Sequence, residues 1–131
     1  MDISNLKPAE SSFMPLRHPS TRQILKDEKG NEVGMLLGSM YCAAWRNRMN
    51  RMANSRINNR TKSTAEQSFE EAGDLFAAVT FEVRGLEIEG EKITPKNIAG
   101  IYNNPDHGWI RKQVDDWIGD DANFFGSAAS E

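Results

Sequence analysis

A single cysteine, Cys42, leaves this chain without any internal disulfide. That suits a reducing compartment, and cytoplasm is the expected location. Long hydrophobic runs are also missing. No stretch approaches the ~20 apolar residues that a membrane helix requires. Met1 to Ser12 mixes Asp2, Lys7 and Glu10 with few apolar residues and does not read as a signal peptide. Histidine is scarce. His18 and His107 lie far apart and Cys42 has no evident partner, so the ligand spacing of a metal site is lacking. The same scarcity leaves no nucleophile, base and orienting group in one place. Three carboxylate pairs, Glu70-Glu71, Asp115-Asp116 and Asp120-Asp121, sit on expected polar faces or helix ends. They read as solvated surface, whereas acid–base work needs a shielded, perturbed group. Gly30, Gly34 and Gly38 follow no phosphate-loop spacing. The expectation is a protein with no catalytic centre, no metal and no cofactor, hence not an enzyme.

What is present suits one soluble domain. The chain has 131 residues, of which 38% are hydrophobic and 27% charged, enough for one modest core. The net charge of −3 is unevenly placed. Residues 1–63 hold eleven Lys/Arg against five Asp/Glu, while residues 64–131 hold five against fourteen. Such a split suits a charged partner, or attraction between the halves or between copies.

The expected fold is mainly α, within α+β: a helical single domain with a small N-terminal β unit. Residues 1–12 read as a disordered arm, 13–125 as the domain and 126–131 as a mobile tail. Phe13 to Pro19, with two prolines, suits an edge strand. Ile24-Leu25-Lys26 and Val33 to Leu37 flank Asp27 to Asn31 as a hairpin signature. Ser39 then caps a helix whose apolar face is Tyr41, Trp45, Met49 and Met52, with a break between about 54 and 63. Thr64 with Gln67 is a capping box opening a helix to Val83. Its seam is Ala65, Phe69, Ala72, Phe76, Val79 and Val83, which either packs internally or receives a partner's helix, and Gly85 is its C-cap. Residues 86–93 suit a second short hairpin about Glu89-Gly90. Thr94-Pro95 opens a helix with Ile98, Ile101 and Tyr102 inward, which Asn103-Asn104-Pro105 stops. A last helix centres on Ile110, Gln113, Val114 and Trp117 and ends at Gly119-Asp120-Asp121.

Two stretches carry candidate binding chemistry. The first is basic: Arg46, Arg48, Arg51, Arg56, Arg60 and Lys62, interleaved with asparagines and free of acids. Arginine and asparagine can meet phosphates and base edges, so nucleic acid is one reading. At about 100° per residue, however, the arginines encircle the helix and do not line one side. The second is aromatic: Trp109, Trp117, Phe124 and Phe125. Trp117 suits core packing. Phe124 and Phe125 either fold onto the core or form an apolar binding patch.

In its order of elements the chain resembles the tail assembly chaperones of phages with long flexible tails. Leu16-Arg17-His18-Pro19-Ser20-Thr21, a hairpin ending at Leu37-Gly38-Ser39 and a long helix resemble their opening. Arg22 stands where the pattern usually has glycine. Gly85 to Gly90, Pro95-Lys96-Asn97-Ile98, Ile101-Tyr102, Trp109 to Val114 and Ala122-Asn123-Phe124 resemble their closing region. The likeness spans about residues 14 to 125. It implies a non-enzymatic protein of the host cytoplasm that coats the tape measure protein, recruits tail tube subunits and is absent from the finished virion. It also implies a longer frameshifted form in many members, and codons for Asn123-Phe124-Phe125 permit a slippery run. Self-association is compatible with this role; no membrane is involved.

Overall fold

The computed structural model describes residues 1–59 and 64–129. Helix makes up 43% and strand 19%, so the fold is mixed α+β and the expected mainly-α class overstates its helical character. Ser11–Pro15 (β1) and Gly34–Gly38 (β2) pair antiparallel, with Met14 opposite Met35 and Phe13 opposite Leu36. β1 is an edge strand, as its closing Pro15 favours, and takes in Ser11 and Ser12 from the N-terminal arm. Between them the chain folds back through isolated bridges, Arg17 with Ile24 and Lys26 with Glu32.

The largest correction concerns the long helix expected over residues 64–83. That segment divides. Ala65–Ala78 is helix (α2), and Thr80–Arg84 is a strand (β3) on the far side of β2. The capping box is present: Gln67 N–H donates to Thr64 Oγ1 at 3.1 Å, and Thr64 N–H donates to Gln67 Oε1 at 3.0 Å. Val79 and Val83 fit a helical seam by spacing, but β-branched residues and pairing with β2 favour the strand. Leu36 pairs with Glu82 and Leu37 with Thr80, so Phe81 is the extra residue of a bulge. The bulge turns Thr80 inward beside Val83 and leaves Phe81 exposed. Gly85, with φ +76°, therefore ends a strand and not a helix.

Ala43–Asn59 forms one continuous helix (α1), without the expected break through residue 59. Residues 60–63, including Arg60 and Lys62, lie outside the described residues. Glu87–Ile88 (β4) and Glu91–Lys92 (β5) form the second hairpin, with positive φ at Glu89 and Gly90 as a type I′ turn requires. Thr94 opens a turn, and helix α3 (Ile98–Tyr102) starts at Ile98. A short 3-10 turn, Pro105–His107, leads into α4 (Gly108–Ile118). Ala122–Ala129 is a further helix (α5). The expected tail is thus helical through Ala129, and Ser130 and Glu131 lie outside the described residues. Asp120 makes the restart possible: its carboxylate accepts the Ala122 N–H at 3.1 Å.

The core lies on one side of the three-stranded sheet. Met14, Met35, Leu37 and Val83 from the strands meet Phe76, Val79, Ile98, Ile101, Tyr102, Ile110 and Val114. A polar chain crosses it. Thr80 Oγ1 donates to the Phe76 carbonyl at 2.8 Å and lies 2.8 Å from Tyr102 Oη. The outer edge of the β1 region is closed by α4. Gln113 accepts from the Arg17 N–H and donates to the Arg17 carbonyl, both at 2.9 Å, as a neighbouring strand would.

Candidate functional site

α1 and α2 leave the sheet at Ser39 and return to it at Thr80. Arg48, near the start of α1, meets Asp74, near the end of α2, at 3.6 Å, which makes the two helices antiparallel. Arginine is the charged residue throughout α1, four in all with no acid, whereas α2 has four acids and no base. The base of the pair is well packed. Leu75 and Phe76 are buried, Ala44 and Trp45 lean on the core, and Arg111 stacks 3.7 Å above the Phe69 ring. Partial burial of Arg111 lowers its pKa. Beyond the Phe69–Arg111 contact the pair is open to solvent. α2 is exposed from Ala65 to Glu70.

No described side chain of α1 is fully buried. Of the apolar face expected from Tyr41, Trp45, Met49 and Met52, only Trp45 packs against the core. Trp45 and Met52 are half-buried, while Met49 is 44% and Ile57 69% exposed. Met49, Ala53 and Ile57 continue the four-residue step of Tyr41 and Trp45 and form a solvent-facing row beside the α2-facing side. A surface helix normally turns such a stripe toward the core. This row lacks that cover among the described residues.

The arginines are partly engaged within the chain. Arg46 donates to the Tyr41 carbonyl, Arg48 pairs with Asp74, and Arg51 is exposed. Among the described side chains, Arg46, Arg48 and Arg51 do not line one side of α1. The aromatic candidates are similarly dispersed. Trp109 and Trp117 are half-buried against the core. Trp117 Nε1 donates to Ser12 Oγ at 2.8 Å and borders a cleft of about 280 Å³. Phe124 is only 3% exposed, which places it in the interior and removes it from any surface patch. Phe125 packs edge-on against Tyr41, with centroids 6.4 Å apart. Tyr41 Oη donates to Asp121 at 3.0 Å, and that contact raises the pKa of its phenol. The N-terminus of α1 and the start of α5 thereby share one surface.

Two exposed apolar residues had no signal as candidates: Ile57, in the expected helix break, and Phe81, turned out by the bulge; Phe69 of the expected seam is also partly exposed. Among the described residues there is no group of three His, Cys, Asp or Glu that could hold a metal ion. No helix among them is long and apolar enough to cross a membrane.

Comparison with protein-family models, curated proteins and solved structures returns no significant match to this chain.

Proposed function

We propose that this protein is a non-enzymatic tail assembly chaperone of a long-tailed phage, acting in the host cytoplasm. It binds the tape measure protein and brings tail tube subunits to it. The observation that carries this reading is the display of α1. A 17-residue helix that leaves Met49 and Ile57 in solvent is arranged for contact with another macromolecule. The acidic α2 beside it keeps such a surface soluble while it is unoccupied.

Arg22 adds support from an independent place. It stands where the family pattern usually has glycine, and its φ is +66°. That is the left-handed region in which glycine is the favoured residue. The turn is held by Arg22 N–H on the His18 carbonyl at 3.0 Å and His18 N–H on the Gln23 carbonyl at 2.9 Å. Arg22 thus holds a backbone conformation that a glycine at this position would adopt without strain.

Co-expression with the tape measure protein of the same gene cluster tests the proposal. The expected result is a soluble complex recovered by affinity purification of either component. A tape measure protein that stays insoluble, with no complex recovered, refutes it.

A further inference from the structure

We infer that the cleft between β1 and α4 is a binding site for an arginine side chain presented by a partner polypeptide. The inference goes beyond the chaperone reading and does not depend on it. The cleft encloses about 280 Å³, and Pro15, Arg17, Gln113, Asp116, Trp117 and Asp120 are among the residues that line it. Gln113, Asp116, Trp117 and Asp120 recur at helical spacing, so they share one face of α4 and its continuation. Trp117 is half-buried, and its Nε1 donates to Ser12 Oγ at 2.8 Å. The indole is therefore fixed before a ligand arrives, and little ordering is left to be done on binding.

Charge selects the ligand. Asp116 makes no hydrogen bond or ion pair among the described residues. Asp120 accepts the Ala122 N–H through Oδ1 and leaves Oδ2 without a partner among them. Both stand at the C-terminal end of α4, where the helix dipole favours a cation and disfavours acids. The chain supplies no such cation locally. The last turn of α4 has no base, and no lysine, arginine or histidine occurs from Asp115 to Glu131. The nearby bases are otherwise placed. Arg17 donates to the Arg22 carbonyl at 3.0 Å, and neither it nor Lys112, one turn before Asp116, forms an ion pair with the aspartates. A guanidinium meets all of these features. It stacks on an indole face and offers forked donors to carboxylates. Its methylene stem covers the apolar surface of Trp117 and Pro15. An ammonium supplies the charge without the fork. An anion would meet Arg17 but would be repelled by two carboxylates.

The test uses the full chain and three short peptides that differ at one central position. That position is arginine, lysine or citrulline, which has the shape of arginine without its charge. Binding is followed through the Trp117 indole N–H signal in NMR spectra of the wild type, Asp116→Asn, Asp120→Asn, the double variant and Arg17→Gln. Asp116 is exposed, and the amide of Asp120→Asn still accepts the Ala122 N–H, so the fold is retained; circular dichroism verifies it. The expected result is a saturable shift with the arginine peptide, weakened about threefold by each asparagine substitution and about tenfold by both. The lysine peptide binds about threefold more weakly than the arginine peptide, and the citrulline peptide does not saturate. Arg17→Gln binds the arginine peptide at least as tightly as the wild type. Equal binding of the citrulline peptide, binding unmoved in the double variant, or no saturation up to millimolar peptide overturns the inference. Weaker binding to Arg17→Gln would assign the cleft to an anion and overturns it too. A lysine peptide that binds as tightly as the arginine peptide overturns the choice of a guanidinium.

Discussion

Thr80→Val weighs the polar chain that ties α3 to the sheet. The Thr80 hydroxyl has one proton and gives it to the Phe76 carbonyl. The 2.8 Å contact with Tyr102 must then be donated by the tyrosine. Valine keeps the shape of threonine but deletes both bonds. It leaves the Tyr102 hydroxyl, which is fully buried, without its acceptor. A stranded buried donor costs about 1–3 kcal/mol and the lost bond about 1 kcal/mol. The added apolar surface returns part of this, so the expected loss is about 2–3 kcal/mol. Tyr102→Phe deletes only the donor, and Thr80 keeps its bond to Phe76. Its expected cost is about 1 kcal/mol. In the double variant no hydroxyl is stranded, so it is no less stable than Thr80→Val alone. The coupling energy is then about 1–2 kcal/mol. Urea unfolding followed by circular dichroism measures all four proteins, with an unchanged slope as the control. Additivity within about 0.5 kcal/mol would refute the assigned donor direction and the dryness of the site.

The same residue sets an alkaline limit. Burial pushes the Tyr102 phenol up from 10 to about 12. In the unfolded chain it ionises near 10, so its contribution is complete below that pH and is lost as pH rises to about 12, by up to about 2–3 kcal/mol. Wild type minus Tyr102→Phe should show this slope, and parallel stability curves would contradict it. A Cβ on Gly34 would lie 2.1 Å from the Met14 carbonyl oxygen, a backbone atom. Gly34→Ala must therefore open the β1–β2 ladder, and should lower stability by about 2–3 kcal/mol and the melting midpoint by about 10 °C; an unchanged midpoint in calorimetry refutes the contact. Arg22→Gly relieves a left-handed backbone at an exposed site and should raise stability by about 0.5–1 kcal/mol, where a loss in urea unfolding would count against it. Gln113→Ala frees both backbone groups of Arg17, so its amide should exchange faster and stability fall by about 1–2 kcal/mol. Unchanged exchange at Arg17 would show that the clasp is not formed in solution.

Local signals were readable from residue order wherever the structure answers to local chemistry. The Thr64–Gln67 cap, the Glu89-Gly90 turn, the inward face of α3 and the stop at Gly119 all follow from side chains within a few positions. β3 was not readable in this way. Val83 satisfies a helical seam and a bulged strand equally, and the choice is made by β2, distant in sequence. The candidate site failed differently. Periodicity marks the apolar side of α1 correctly but says nothing about whether another element covers it. Phe124 shows the converse: a small-residue tail suggested exposure, and the restart of helix at Asp120 carries it inward.

Gly38 N–H donates to the Val79 carbonyl at 2.7 Å, so the excursion from the sheet into α1 and α2 is closed at its root. The paired helices are in effect an insertion in a sheet that is complete without their distal turns. Whole turns could be added to both legs beyond the Phe69–Arg111 contact without disturbing a residue of the body. The entropic cost of closing such a loop grows only with the logarithm of its length, about 0.6 kcal/mol for each doubling. Reach and stability are therefore set by separate parts of the chain, and one can change across relatives or designs while the other is kept.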